Sequence, residues 1–148
     1  MSLVLDDELK AIVNGALESH APLVLASVDA EGRPRLTFRG SIQTFGDDQV
    51  GFWARNPEGG TMGNIAANPH VAMMMRNPQT RVVLQLAGRA RRVEGAEREQ
   101  VYANAPEFEQ RADADKKGAA VIVDLDSVEG FLGLTADGER RFVRLRRD

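Results

Sequence analysis

The sequence of 148 residues contains no cysteine and only two histidines, His20 and His70. Without cysteine, disulfide bonds, thiolate metal sites and cysteine nucleophiles are excluded. The two histidines lie far apart, and neither has a second histidine at metal-ligand spacing. The sequence therefore predicts no metal site and no catalytic triad built on histidine.

A basic excess and long apolar runs are also missing. The 19 basic and 22 acidic side chains give a net charge of −3, whereas nucleic-acid-binding domains usually carry a basic excess. No apolar run approaches the roughly 20 residues of a membrane-spanning helix. The first eight residues lack the basic and apolar regions of a signal peptide. We therefore expect a cytoplasmic protein that binds neither nucleic acid nor membrane.

The chain length favours one domain over residues 1–148, with enough apolar residues for a core. Apolar spacing predicts helices over 6–19 and 61–67, and one or two helices over 95–118 interrupted by Pro106. Short apolar or alternating runs bounded by turn residues predict strands over 23–28, 34–44, 49–54, 71–75, 81–93, 121–125, 130–134 and 141–145. Many short strands with few helices predict a small antiparallel barrel, mainly β within the α+β class.

The strand over 34–44 alternates in polarity. Leu36, Phe38 and Ile42 share one face, and the other face carries Arg35, Thr37, Arg39, Ser41 and Gln43. Arginine binds phosphate well because its planar fork donates two parallel hydrogen bonds. Gly40 lacks a side chain, which favours the close approach of a ligand to the backbone. The alternative is a solvated strand face.

A second candidate segment is the loop over 55–60 and the helix after it. Two glycines before Thr61 expose backbone amides at the positive end of a helix, an arrangement that binds anions. The alternative makes Thr61 a simple N-cap. Trp53, the only tryptophan, lies between the two candidate segments and is either a core residue or part of a binding site. Met73, Met74 and Met75 indicate a core or a subunit interface.

The order of several short motifs resembles one known family. They are Ala26–Pro34, Phe38-Arg39-Gly40-Ser41, Gly51-Phe52-Trp53-Ala54, Thr61–Ile65 and Ala67–Ala72. Together they resemble the pyridoxamine 5′-phosphate oxidase-like FMN-binding split barrels, in a small single-domain branch. The similarity is firm over residues 5–93 and loose after that.

The resemblance implies a six-stranded antiparallel split β-barrel with flanking helices. It also implies a homodimer that holds FMN in clefts at the subunit interface. By position, Arg39 lies toward the phosphate and Gln85 near the flavin. The cofactor-binding residues implied in this way are Arg39, Gly40, Ser41, Trp53, Ala54, Arg55, Thr61, Asn64 and Gln85.

Two departures from the family pattern qualify this expectation. Gly60-Thr61 stands where the oxidases carry an arginine–lysine pair, and the carboxy-terminal substrate motif of true pyridoxamine phosphate oxidases is absent. We therefore expect a flavin-dependent oxidoreductase that acts on a small organic substrate other than vitamin B6. No side chain is identified as general acid or base.

Three alternatives stay open. One is a reductase of the same fold that binds the deazaflavin F420 in a basic groove with Arg39, Arg55 and Arg81. The second is a carrier or sensor that only holds flavin or haem. The third is a dimeric interaction module without a cofactor.

Overall fold

The computed structural model describes residues 3–148, so that Met1 and Ser2 of the predicted domain lie outside the described residues. The helices are α1 Asp7–Asn14, α2 Gly60–Ala67, α3 Gly95–Asn104 and α4 Glu107–Ala112. The strands are β1 Leu23–Val28, β2 Pro34–Arg39, β3 Gln43–Thr44, β4 Gln49–Ala54, β5 His70–Asn77, β6 Val82–Val93, β7 Ala119–Leu134 and β8 Arg140–Arg146. No helix within residues 3–148 is long and apolar enough to cross a membrane.

The strands form one antiparallel sheet in the order β2-β1-β5-β6-β7-β4-β3, and β8 pairs with β7. The two ends of this sheet, β2 and β3, are the halves of the single strand predicted over 34–44. Residues 40–42 join β2 to β3 through the chain, although the two strands are not hydrogen-bonded to each other. The predicted antiparallel split barrel with flanking helices is therefore confirmed. Residues 3–148 form eight strands where the resemblance implied six, because the segment over 34–44 divides into β2 and β3 and because β8 is added beside β7.

Helix α1 is shorter than the predicted helix over 6–19. Asp6 caps its start by accepting a 2.9 Å hydrogen bond from the Leu9 amide, and Leu9 and Val13 are its buried residues. The helix ends at Asn14, and the C-cap Gly15 donates its amide to the carbonyl of Ala11. The chain then runs through turns over residues 15–20, where His20 has a φ of 60°, so the apolar spacing beyond Asn14 does not extend the helix.

Strand β7 is continuous where two strands were predicted, over 121–125 and 130–134. The register with β6 shifts between Ala87 and Gly88, so that Gly88 pairs with Leu125 and Ala87 with Ser127. Asp126 is the extra residue of this bulge. Its carboxylate accepts hydrogen bonds from the Arg89 guanidinium at 3.0–3.2 Å. The segment between the two predicted strands is therefore part of one strand that contains an irregularity.

Two hydrophobic clusters lie on opposite sides of β4. Phe52 belongs to the barrel core, which includes α1 and the inward faces of β1, β5 and β6. Trp53, the next residue, packs with Val93, Val101 and Ile122 in a second cluster that also involves α3. Successive strand residues point to opposite faces, and β4 therefore separates the two cores.

The outer face of β2, β1 and β5 exposes large apolar side chains. Leu36 is 71% exposed, Phe38 73% and Met74 47%. Phe38 and Met74 both pair with Val24, so they form one row across the three strands. Ile42, predicted to share this face, is instead buried with 2% exposure, because the chain bends between β2 and β3.

Candidate functional site

The Arg39 guanidinium connects the end of β2 to the start of α2. Its Nη2 atom donates a 2.7 Å hydrogen bond to Oγ1 of Thr61, and its Nε atom donates to Oγ1 of Thr37 at 3.2 Å. The guanidinium carbon lies 5.5 Å from the centroid of the Phe52 ring. These contacts hold a planar cation in one orientation beside the first turn of a helix.

The amino end of α2 has no side-chain cap. Gly59 is the N-cap residue, and the first turn contains no acidic residue. The alternative in which Thr61 caps this helix is therefore wrong, and its hydroxyl instead accepts the hydrogen bond from Arg39. A Cβ atom added at Gly60 would meet nothing within 4 Å, so the space beside this residue is open. Uncapped amides with a positive dipole suit an anion.

Arg39 is a partly buried cation. Burial lowers its pKa, the negative charge of Glu109 opposes that change, and the positive charge of Arg55 adds to it. Both hydrogen bonds that Arg39 donates go to hydroxyl groups, and it forms no salt bridge with any carboxylate of residues 3–148. An anionic ligand at this position would supply the missing counter-charge.

Arg55 and Glu109 lie next to this corner. The Nε atom of Arg55 is 3.3 Å from Oε2 of Glu109, and the Arg55 side chain is 53% exposed. Glu109 is only 7% exposed, whereas its neighbour Phe108 is 58% exposed. Sequence reasoning missed Glu109 because α4 buries an acidic side chain and exposes an aromatic one, against the usual polarity of a surface helix.

Thr61 and Asn64 line a cleft of about 580 Å³ between α2 and the β1–β2 hairpin, together with Arg35, Thr37 and Gly60. The Asn64 side-chain amide donates a 3.2 Å hydrogen bond to Oγ of Ser27, which fixes it on β1. The structure thus brings Arg39, Thr61 and Asn64 together, with Arg55 within electrostatic reach of Arg39.

Two predicted site residues belong to the bend of the barrel. A Cβ atom at Gly40 would lie 3.3 Å from Cδ1 of Leu17, so the glycine makes room for this half-buried side chain. The buried Ser41 hydroxyl accepts a hydrogen bond from the Trp53 amide at 3.0 Å and donates to the Trp53 carbonyl at 3.1 Å. Ser41 therefore supplies the link between the strands where the ladder is interrupted.

Trp53 and Ala54 point into the two cores. The indole of Trp53 is 2% exposed, contacts Tyr102 edge-on with 4.9 Å between ring centroids, and donates from Nε1 to Asp113 at 2.8 Å. Ala54 is also 2% exposed. Neither side chain borders the cleft beside Thr61, and the Trp53 ring has no free face for a flavin.

Gln85 lies on the outer apolar face. It pairs with Met74 in β5 and lines a groove of about 600 Å³ together with Phe38 and Met74. Arg39 does not line this groove. A single chain therefore does not unite Gln85 with the Arg39–Thr61 corner. Within residues 3–148 no group of three or more histidine, aspartate or glutamate side chains could hold a metal ion.

The strand order and the bend between β2 and β3 define a split β-barrel protein. Residues 5–131 match the family model of pyridoxamine 5′-phosphate oxidase, and the chain belongs to that family. No curated protein sequence gives a significant match.

Solved structures share the fold at low sequence identity. HupZ of Group A Streptococcus is 20% identical with a TM-score of 0.64, over 93% of this chain and 98% of that chain. A haem-binding protein of Mycobacterium smegmatis is 17% identical with a TM-score of 0.68, over 93% and 57% of the two chains. A pyridoxamine 5′-phosphate oxidase-related, FMN-binding protein of Nostoc punctiforme PCC 73102 is 13% identical with a TM-score of 0.65, over 93% of both chains.

Proposed function

We propose that this protein binds FMN and serves as a flavin-dependent oxidoreductase for a small organic substrate. The observation that carries the proposal is the 2.7 Å hydrogen bond between Arg39 and Thr61 at the uncapped start of α2. Family membership supports it, because the chain matches the pyridoxamine 5′-phosphate oxidase family over residues 5–131. Neighbours of the same fold include a protein described as FMN-binding.

The residues at this corner fit a phosphate group. The cation is the guanidinium of Arg39. The neutral hydrogen-bond donors are the hydroxyl of Thr61 and the backbone amides near Gly60, and all of these groups can bind one anion. Arg55 adds a second cation where Gly60-Thr61 replaces the basic pair of the oxidases. In this proposal Arg39 and Thr61 hold the phosphate and Asn64 borders the chain that follows it. Bound FMN would supply the electron transfer, while the protein supplies orientation and electrostatics.

A second copy of the chain is the proposed partner. Leu36 lies beside the row of Phe38 and Met74, and the three side chains expose an apolar patch that a monomer would leave in water. A twofold dimer would bury the same row from both chains. Gln85 lies on this face and would therefore become part of the dimer interface. The family resemblance implies that the cofactor site lies at that interface.

The test is a titration of the purified protein with FMN and with riboflavin, followed by flavin fluorescence. We expect saturable binding of FMN, one per chain, and much weaker binding of riboflavin because riboflavin lacks the phosphate. Equal affinity for both would contradict the phosphate corner, and absence of FMN binding would overturn the proposal. Parallel titrations are made with F420 and haem. Tighter binding of F420 than of FMN would indicate the F420-binding reductase, and a shifted Soret band would indicate the haem-binding carrier or sensor.

Turnover distinguishes an enzyme from a carrier. The FMN-loaded protein is mixed with reduced nicotinamide cofactor, and the flavin absorbance is followed. We expect bleaching of the flavin band and its return when an electron acceptor is added. A loaded protein that nicotinamide donors do not reduce at a rate above that of free FMN would be a flavin carrier instead.

A further inference from the structure

Glu109 is a buried acid that the proposed phosphate corner does not use. It is 7% exposed, and its Oε2 atom has no hydrogen-bond partner although it lies 3.3 Å from Nε of Arg55. Burying a carboxylate is costly unless a cation compensates its charge. Arg55 is the cation in salt-bridge contact with it, and Arg39 lies close enough for Glu109 to influence its ionisation.

Two hydrogen bonds hold α4 and the loop after it in place near Glu109. The Tyr102 hydroxyl donates a 2.9 Å hydrogen bond to the carbonyl of Gln110, the next residue. Asp113 accepts the hydrogen bond from the Trp53 indole at 2.8 Å. These contacts fix the chain on the carboxy-terminal side of Glu109, whose side chain is buried and in salt-bridge contact with Arg55.

Arg55 and Arg39 repel each other, and an exposed Arg55 side chain would otherwise move away into water. Glu109 lies at the Nε edge of Arg55. Such a contact leaves the two terminal nitrogens of the guanidinium free. These two nitrogens can form an end-on bidentate pair with phosphate.

We propose that Glu109 is a positioning residue that holds Arg55 beside Arg39, so that both guanidinium groups face one phosphate. This inference rests on the proposed function, and it assigns to α4 a part in cofactor binding. Its effect has a diagnostic sign. If Glu109 acted only through its negative charge, its removal would strengthen the binding of an anion. As a positioning residue, its removal weakens that binding.

The experiment compares Glu109→Gln with the wild-type chain for the affinity of FMN, riboflavin and inorganic phosphate. Glutamine keeps the size of the side chain and removes the charge. We expect FMN and phosphate to bind at least about tenfold more weakly, as for loss of one charged hydrogen bond, with riboflavin unchanged. Unchanged or tighter FMN binding would overturn the proposal. Glu107→Gln is the matched control, because Glu107 lies on the same helix, is 81% exposed and pairs with Arg111.

A double-mutant cycle tests whether Glu109 acts through Arg55. We expect Arg55→Gln to weaken FMN binding by a similar factor, and Glu109→Gln to add nothing in the Arg55→Gln background. A merely structural role for Glu109 would lower affinity in both backgrounds and would affect riboflavin as well. If Glu109→Gln does not fold, Arg55→Gln decides alone, since unchanged FMN affinity in that variant removes the role proposed for Glu109.

Wild-type binding separates the two proposals. A chain that binds inorganic phosphate but not FMN would overturn the proposed function, and the phosphate affinities of the variants would still decide the role of Glu109. A chain that binds neither would overturn both.

Discussion

Trp53 and Asp113 form a buried hydrogen bond of 2.8 Å between the indole nitrogen and Oδ2 of the carboxylate. The same carboxylate accepts hydrogen bonds from the backbone amides of Lys117 at 3.0 Å and Gly118 at 2.8 Å. It thereby joins β4 to the loop that follows α4. Glu109, which contacts Arg55, lies on the same α4 that this loop follows.

The stability of this connection should depend on pH. Burial raises the pKa of Asp113, but hydrogen bonds from Trp53, Lys117 and Gly118 outweigh it, and the pKa lies below the ordinary value. A lowered pKa stabilises the fold above the unfolded carboxyl pKa of about 3.9, and this contribution is lost as pH falls through the folded value. Asp113→Asn should therefore lower the free energy of unfolding at pH 7 and flatten its decrease below about pH 4. Urea unfolding at several pH values measures this.

Asp115→Asn is the control for that prediction, because Asp115 is exposed and only two residues away. If the two variants lose the same stability at pH 7, the Asp113 carboxylate does not hold the loop to β4.

Arg39 should contribute to affinity for FMN more than to folding. Arg39→Ala removes a charged donor from the phosphate corner, and a charged hydrogen bond is worth about 1.5–3 kcal/mol, or roughly 10- to 150-fold in affinity. The FMN titration should show this loss, while riboflavin binding and the melting temperature stay close to wild type. Arg144→Ala, an exposed arginine on β8, serves as control. An unchanged FMN affinity in Arg39→Ala would remove Arg39 from the site.

Ser41 should matter for folding rather than for the cofactor. Ser41→Ala leaves the Trp53 amide and carbonyl without their buried partner, which costs about 1–3 kcal/mol. Chemical denaturation should report this decrease, and the FMN affinity of the folded variant should match wild type. Ser19→Ala, at an exposed turn position, should cost little. A large loss of FMN affinity without loss of stability would instead place the Ser41 hydroxyl at the ligand.

Two neighbouring methionines should separate assembly from folding. Met74 is 47% exposed on the outer face, and Met75 is 4% exposed in the core. Met74→Asp should give a folded monomer, because it places a charge in the proposed subunit interface. Met75→Asp should fail to fold or lose several kcal/mol, about 4 or more, because it buries an unpaired carboxylate. Light scattering and circular dichroism distinguish the outcomes, and a dimeric Met74→Asp would rule out this face as the interface.

Local sequence signals were sufficient for most elements of the fold. The predicted strand over 23–28 coincides with β1, and the interruption at Pro106 separates α3 from α4. Alternation also grouped Arg39 with Thr37 on the polar face of β2, and the structure shows the hydrogen bond between them. Turn residues and periodicity are properties of neighbouring residues, so they can be read before the chain is folded.

The sequence by itself determined the antiparallel barrel, the absence of cysteine chemistry and the basic strand that ends at Arg39. Tertiary structure alone decided which charged side chains are in contact. Glu109 and Arg55 are far apart in the chain, and only the packing of α4 brings them together. It also decided that Trp53 points into a core and that Phe38 points into water. A bend between β2 and β3 and the packing of helices on β4 set these directions, and neither is encoded in the pattern of any single segment.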